Sequence, residues 1–258
     1  MNEKTISSVS ISTLSYLLTD PQDKRSKIVV APDAVICEKI FNSLTALKNK
    51  DQKVHLLPEW DSTPEYQNSP DIEVQAQRIE ALHAILNNAE GLLVVTSINA
   101  IAQHLVPVEY ISSLSKQFFI NSEININSFT LDLISSGYER TDIVNSVGQF
   151  SVKGNIIDVF SPSQSDPIRI ELFGDNIETI KTFDKVTQRT ISKVQTAKII
   201  PARELSLSTE NVLMFKERFK EHCDKNHVRK DIRDQIIEII ENNVYFPGME
   251  YYLPFFHK

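Results

Sequence analysis

The stretch "RIELFGDNIETIKTFD", residues 169–184, decides the fold of the middle of this chain. Apolar and polar residues alternate along it with a period of two, which is typical of half-buried antiparallel strands. A Gly-Asp-Asn turn separates two alternating runs and predicts a hairpin. Ile170 then lies on one face of the sheet, and Arg169, Glu171 and Phe173 lie on the other. The second face therefore combines a charge pair with a phenylalanine, and a function is needed to explain it.

The neighbouring sequence extends this β-rich pattern. The stretch "SVKGNIIDVF", residues 151–160, also alternates with a period of two and is predicted to be a half-buried antiparallel strand. Short alternating runs with turn signals continue from about residue 118 to 200, and a helix is predicted at 128–138. These observations predict a small α+β domain over residues 118–200, inserted after an N-terminal unit.

The N-terminal region, residues 1–117, alternates between predicted strands and predicted helices. The short apolar run 27–31 suits a buried parallel strand, and the runs 54–58 and 91–96 predict the second and third strands. The amphipathic segments that predict helices between them are 33–47 and 71–86. This βαβαβ order predicts an α/β fold in which helices cover a parallel sheet and the crossovers are right-handed.

The C-terminal region, residues 201–258, is predicted to be mainly helical. It ends in "VYFPGMEYYLPFFHK", residues 244–258, which is too apolar for a free terminus. We expect one of two explanations for this aromatic tail. It packs on the N-terminal region, or the sequence has been cut before further chain that would cover it.

Composition and charge exclude several classes of protein. The chain has 258 residues, of which 41% are hydrophobic and 24% charged, as in ordinary soluble globular proteins. A formal charge of −7 argues against broad non-specific binding to a nucleic-acid backbone. The two cysteines, Cys37 and Cys223, lie far apart and suggest a reducing compartment. Without a signal-peptide pattern or a long apolar run, we expect a cytoplasmic protein that does not associate with membranes.

Motifs for catalysis, cofactors or metals are not found in the sequence. The six glycines begin only at Gly91 and no Gly-Lys-Ser/Thr occurs, so a Walker-type phosphate loop is absent. Cys223 and His227 are four positions apart, but a structural zinc site needs four ligands. We therefore interpret that pair as polar residues on a solvated helix. The sequence predicts a binding module with no catalytic, cofactor-binding or metal-binding residues.

Residues 148–190, "GQFSVKGNIIDVFSPSQSDPIRIELFGDNIETIKTFDKVTQRT", closely resemble domain 2 of the UvrB and Mfd families. The shared pattern is an aromatic residue, Arg-Gly, "IDxF", "RxExF", an acidic turn and "FDxxTQR". Two further stretches, 57–82 and 246–256, resemble Mfd, the transcription-repair coupling factor family. The chain lacks the Walker A motif and the long aromatic β-hairpin of UvrB.

The resemblance implies three domains. They would be a degenerate RecA/UvrB-like domain 1a at 1–117, a UvrA-binding domain 2-like unit at 118–200 and a helical domain 1b-like segment at 201–258. The family displaces stalled RNA polymerase from damaged DNA and recruits UvrA. Its polymerase-binding domain and its ATP-dependent DNA translocase follow the UvrB-like module. We therefore expect a monomeric fragment or truncated relative that binds UvrA and meets RNA polymerase and DNA only through domains outside this chain.

The resemblance also implies which residues bind UvrA. Arg169 and Phe173 occupy the motif's arginine and second aromatic position, and Lys153 stands at the Arg-Gly position. Glu171 and Asp175 are flanking acids. The family mostly has arginine where Lys153 stands, and a lysine keeps the charge but loses the planar bidentate fork.

Simpler structural roles remain open for these residues. Phe173 could be covered at a domain interface, and Arg169 could form an ordinary cross-strand pair with an acid. Asp158 is expected to hold a turn or neighbouring backbone. Trp60 and the aromatic tail are expected to be core.

Two other functions compete with protein docking. The first is DNA binding through the basic segment "KERFKEHCDKNHVRK", residues 216–230. This segment also contains acids, which favours a solvated mixed-charge helix. The second is ATP-driven catalysis, which the distribution of glycines argues against.

Overall fold

The computed structural model describes residues 9–63, 68–87 and 90–257, which divide into two compact units. The first unit contains the chain up to Glu59 together with Glu80–Gln103, and the second contains Trp60–Ile79 together with the chain from His104 onward. Residues 64–67 of the stretch 57–82, and the last residue of the aromatic tail, lie outside the described residues. The predicted three-domain division stays a prediction.

The first unit is built around a parallel sheet. Its elements are α1 (Ile11–Leu18), β1 (Lys27–Ala31), α2 (Ala34–Leu47), β2 (Lys53–Leu57), β3 (Leu92–Ser97) and α4 (Ile98–Ala102), with the second half of α3 (Ile72–Leu86). The strands pair in the order β1-β3-β2, and both pairings are parallel. The predicted βαβαβ order is confirmed. The more detailed expectation of a degenerate RecA/UvrB-like domain stays a prediction.

The prediction that the strand at 27–31 is buried was wrong for two residues of β1. The central strand β3 is buried along its whole length. In contrast, Ile28 and Val30 of β1 are 63% and 48% exposed. Only one face of β1 packs on the core, through Val29 and Ala31, whereas Ile28 and Val30 lie on the other face.

Helix α2 shows how the local sequence sets this packing. It begins after Asp33, whose side chain accepts a hydrogen bond from the backbone N–H of Ile36 at 2.8 Å and so caps the helix. The buried side chains of α2 then recur at helical spacing and pack against β3. These core residues are Cys37, Ile40, Leu44, Leu93 and Val95.

The second unit contains a six-stranded sheet that is antiparallel except at one edge. Its elements before residue 200 are α5 (Val108–Leu114), β4 (Lys116–Phe119), α6 (Ile126–Ser135), β5 (Glu139–Arg140), β6 (Gln149–Lys153), β7 (Ile156–Val159), β8 (Ile168–Phe173), β9 (Asn176–Phe183), β10 (Thr190–Val194) and β11 (Thr196–Ile199). The sheet order is β10-β9-β8-β7-β6-β5, in which only β5 and β6 are parallel, and β11 pairs separately with β4. The predicted combination of helices with short antiparallel strands is confirmed, and the helix predicted at 128–138 forms at Ile126–Ser135.

The stretch 151–160 was predicted to be one strand, but it forms a hairpin. Strand β6 ends at Lys153, and β7 begins at Ile156. Gly154 turns the chain between them with φ +58°, a left-handed conformation that glycine adopts without steric cost. The predicted hairpin between β8 and β9 is confirmed, and Gly174 takes the same conformation there with φ +61°.

One face of the six-stranded sheet forms the main core of the second unit. Its inward side chains pack against α6. The buried residues at the centre of this core include Phe150, Ile157, Ile170, Ile180, Phe129 and Leu133. Strand β9 has a bulge opposite Glu171 and Leu172, so that Thr179 pairs with Glu171 and Ile177 pairs with Leu172.

A buried charged network also stabilises the second unit. The guanidinium of Arg78 lies 2.7 Å from the carboxylate of Glu204, and both side chains are almost completely buried. The indole N–H of Trp60 donates a hydrogen bond of 2.9 Å to the same carboxylate. Arg78 also lies over the Trp60 ring, 5.4 Å from its centroid. Two positions far apart in sequence are thereby tied to Trp60.

The C-terminal segment is helical, and its aromatic tail is packed. Its elements are α7 (Thr209–Lys225), α8 (Lys230–Glu241), a short 3-10 helix (Met249–Tyr252) and α9 (Leu253–Phe256). The ring of Phe215 in α7 packs against that of Phe256, with centroids 4.7 Å apart and planes tilted by 32°. Tyr251 meets the edge of Trp60 at 5.4 Å. The tail thus packs chiefly on α7, and its contact with Trp60 also lies within the second unit. No helix in the described part of the chain is long and apolar enough to cross a membrane.

Candidate protein-docking face

The face of the six-stranded sheet opposite the core carries every residue implied for UvrA binding except Asp175, which lies in the adjoining turn. We call it the outer face. It is defined by the side chains that strand register and alternation place there: Ser151, Lys153, Ile156, Asp158, Arg169, Glu171, Phe173, Thr179, Lys181 and Lys193.

Arg169 is held at the centre of the outer face by Asp158. The two residues are directly opposite in the register of β7 and β8, and the guanidinium makes two hydrogen bonds of 2.8 Å to the two carboxylate oxygens. The guanidinium also lies 4.6 Å from the centroid of the Phe183 ring. The hydrogen-bonded carboxylate raises the pKa of Arg169. The cross-strand pair considered from the sequence is therefore present.

The expectation that Asp158 holds a turn or backbone was wrong. Its carboxylate binds Arg169 instead, because the residue lies in the middle of β7 and only 7% of it is exposed. At that depth a carboxylate needs a cation or several donors to offset its desolvation.

Glu171 is also paired within the face. The ammonium of Lys181 lies 2.6 Å from both of its carboxylate oxygens, and the hydroxyl of Thr179 donates a hydrogen bond of 2.7 Å. These two donors hold the pKa of Glu171 below its usual value. Glu171 therefore takes part in the sheet's own network.

Phe173 remains uncovered. It is 79% exposed at the end of β8, so a Phe173 covered by another part of the described chain is excluded. Ile156 is 38% exposed and lies opposite Glu171, which makes it a diagonal neighbour of Phe173 on the same face. Lys153 pairs with Ile156 and is exposed. We call Lys153, Ile156 and Phe173 the open corner.

Asp175 lies in the hairpin turn beside the open corner. The residue is exposed, and its backbone carbonyl accepts a hydrogen bond of 2.7 Å from the N–H of Ile124. This bond fixes the turn that follows Phe173. The structure thus brings Lys153, Phe173 and Asp175 together at one end of the sheet, while Arg169 and Glu171 are held by internal partners.

Sequence reasoning missed Lys181, Lys193 and Ile156. Simple alternation from Ile177 would place Lys181 on the core face, but the bulge in β9 shifts the pattern by one residue. The spacing of three positions between the buried Ile177 and Ile180 was the available signal. Ile156 was hidden because the 151–160 hairpin was taken as one strand.

The "FDKVTQRT" part of the motif has a structural role in the turn between β9 and β10. The Asp184 carboxylate accepts hydrogen bonds from the backbone N–H and the hydroxyl of Thr187, at 2.6 and 2.8 Å. The side-chain amide of Gln188 donates to the carbonyl of Val144 at 3.0 Å. The motif therefore closes the hairpin and anchors the loop before β6.

In the segment 216–230, the expectation that Cys223 and His227 are polar residues on a solvated helix was wrong. Cys223 is buried in α7 instead of facing solvent, and His227 lies beyond the helix end with φ +54°. The cations are largely paired, which is typical of a mixed-charge helix. The pairs are Lys216 with Glu241, Lys225 with Glu221, Arg229 with Asp231, and Arg218 with the carbonyl of His257.

Residues 117–205 match the UvrB interaction domain family, and this segment contains the whole six-stranded sheet with its outer face. The sheet and the open corner therefore lie within the matched segment. Over most of its length, the chain resembles the transcription-repair-coupling factors. It is 28% identical to that of Haemophilus influenzae over 91% of this chain, 31% identical to that of Myxococcus xanthus over 80%, and 32% identical to that of Bacillus subtilis over 80%. The chain spans only 20%, 17% and 17% of the length of these relatives.

Proposed function

We propose that this chain is a non-catalytic module of a transcription-repair coupling factor and that it recruits UvrA to RNA polymerase stalled at DNA damage. Docking takes place through the open corner of the outer face. The observation that carries the proposal is the 79% exposure of Phe173 on a face whose other central side chains are already paired. The family match over residues 117–205 supports the choice of partner.

The contacts of the outer face divide its residues between binding and positioning. Phe173 is the anchor, and burial of such an aromatic ring at an interface is worth on the order of 2 kcal/mol. Lys153 adds a flexible point charge beside the anchor. Arg169 is bound to Asp158 and lies over the Phe183 ring. It therefore positions the surface and does not contact the partner directly.

The other activities of the family are assigned to parts of the protein outside this chain. ATP-driven translocation, RNA polymerase binding and DNA binding take place there, and the module itself acts as a cytoplasmic monomeric unit. The lack of any glycine before Gly91 in the sequence supports a non-catalytic role, because a phosphate loop needs glycine at a strand-to-helix turn. DNA binding by the segment 216–230 is the second candidate, but its paired cations favour it less.

The proposal is tested by calorimetric titration of purified UvrA with three forms of the chain. They are the wild type, Phe173→Ala and Leu213→Ala, whose leucine is 63% exposed on α7 and serves as the matched control. We expect Phe173→Ala to weaken binding by about thirtyfold or more, which corresponds to roughly 2 kcal/mol. The control should bind as the wild type does, and all three should melt at the same temperature. Equal affinity of Phe173→Ala and wild type would overturn the proposal.

A further inference from the structure

We propose that the docking surface continues from the open corner across β9 to Lys193 on β10, and that it meets an acidic protein surface on its partner. Lys193 then acts as the electrostatic steering residue of the module. This inference rests on the proposed function, since it describes the chemistry of the same partner.

A row of cations crosses three neighbouring strands on the outer face. Arg169 of β8 pairs with Lys181 of β9, and Lys181 pairs in turn with Lys193 of β10. Neighbouring strands lie about 4.8 Å apart, and like charges placed directly opposite are destabilising. The row of three cations therefore does not itself stabilise the sheet.

The positive charge of this row is not neutralised at Lys193. Asp158 pairs with Arg169, and Glu171 pairs with Lys181. Lys193 is exposed and has no ion pair within the described residues. At the other end of the face, Lys153 is exposed in the same way. The outer face therefore carries excess positive charge on a chain whose formal charge is −7.

The side chains between the cations favour a protein over a nucleic acid as the partner. Asp158 and Glu171 lie within the row, and their carboxylates would repel a phosphate backbone. Phe173 and Ile156 add apolar surface at one end, which suits an interface with an apolar centre and charged rim. An acidic surface with an apolar recess complements both features.

The test measures association and dissociation rates of the chain with purified UvrA at low and high salt. The variants are Lys193→Glu, Lys193→Gln and Phe173→Ala, with Lys39→Glu as the charge-matched control on an exposed position of α2. At low salt, we expect Lys193→Glu to lower the association rate constant about three- to tenfold, and Lys193→Gln to lower it less. The difference should shrink at high salt because exposed charges are then screened. Phe173→Ala should act mainly by speeding dissociation.

The outcomes separate this inference from the proposed function. If Phe173→Ala weakens binding but Lys193→Glu associates as fast as Lys39→Glu, the steering role is overturned and the proposed function stands. If Phe173→Ala binds as tightly as wild type, the proposed function fails. A parallel titration uses fluorescein-labelled duplex and single-stranded DNA without UvrA. Salt-sensitive DNA binding that Lys193→Glu abolishes would overturn the assignment of a protein partner.

Discussion

Arg169 and Asp158 face each other across β7 and β8 through two hydrogen bonds of 2.8 Å, with the Phe183 ring beneath the guanidinium. In this geometry, the central cation of the outer face stabilises the fold. Loss of binding in an Arg169 variant would therefore not distinguish a lost contact from a disturbed sheet. Phe173 is the sharper probe, because its exposed ring can be removed without uncovering the core.

Arg169→Ala is expected to lower the thermal stability of the second unit. It removes the cation that pairs with the carboxylate of Asp158, a residue only 7% exposed in the wild type, and this costs on the order of 1–3 kcal/mol. Scanning calorimetry of Arg169→Ala, Asp158→Ala and the double variant checks this in a mutant cycle. The double variant should lose less than the sum of the single losses. Strictly additive losses would show that the pair does not stabilise the sheet.

Glu204→Gln is expected to be more damaging than any substitution on the outer face. It removes the negative charge that neutralises the buried guanidinium of Arg78, and breaking such a pair costs about 3–5 kcal/mol. The only tryptophan, Trp60, donates to the same carboxylate, so its fluorescence reports directly on this site. Urea unfolding followed by tryptophan emission should show a lower midpoint for Glu204→Gln. Glu217→Gln, at an exposed position in the middle of α7, is the control and should unfold as the wild type does.

The Glu171–Lys181 pair gives an expected dependence of stability on pH. Because the folded-state pKa of Glu171 is lowered by Lys181 and Thr179, its contribution is present above the unfolded-state pKa of about 4.3. The contribution is lost as the pH falls through the folded-state value. Melting temperatures of wild type and Glu171→Gln should therefore differ most near neutral pH and converge in the acid range. A gap that stays constant down to about pH 3 would contradict this assignment.

Two glycines should respond differently to substitution. Gly137 has φ +85°, and a Cβ added there would lie 2.8 Å from the Cβ of Arg203. We expect Gly137→Ala to cost at least about 1–3 kcal/mol, because it combines a strained conformation with a clash. Gly154 has φ +58° and nothing within 4 Å of the added atom. Gly154→Asn should change stability by less than about 1 kcal/mol, since asparagine tolerates the left-handed region. Chemical denaturation of the two variants compares them directly.

The sequence predicted those parts of the fold in which the pattern is local. Alternation in 169–184 placed Arg169, Glu171 and Phe173 on one face, and the structure has them there. The Gly-Asp-Asn turn and the parallel order of the N-terminal strands were predicted for the same reason. In each case, side-chain period or turn chemistry within a short segment sets the outcome.

The parts that were missed depend on residues distant in sequence. The burial of Arg78 follows from Glu204, and neither neighbourhood alone reveals the other. The pairing of Arg169 with Asp158 needed the register between two strands, and the position of Lys181 needed the bulge in β9. The exposure of Ile28 depends on which face of β1 is covered by other elements, and the apolar run itself does not show this.

The open corner has a consequence for how such a module can change over generations. Phe173 and Lys153 are exposed at the ends of strands, and the core beneath them is completed by other side chains. Substitution at either position therefore alters the proposed docking surface with little effect on folding. Selection can therefore adjust the complementarity of the open corner to a partner whose own surface changes, one substitution at a time. The intermediate forms remain folded. Substitutions in the Arg169–Asp158 pair must instead be coordinated, so the sheet itself should diverge more slowly than its corner.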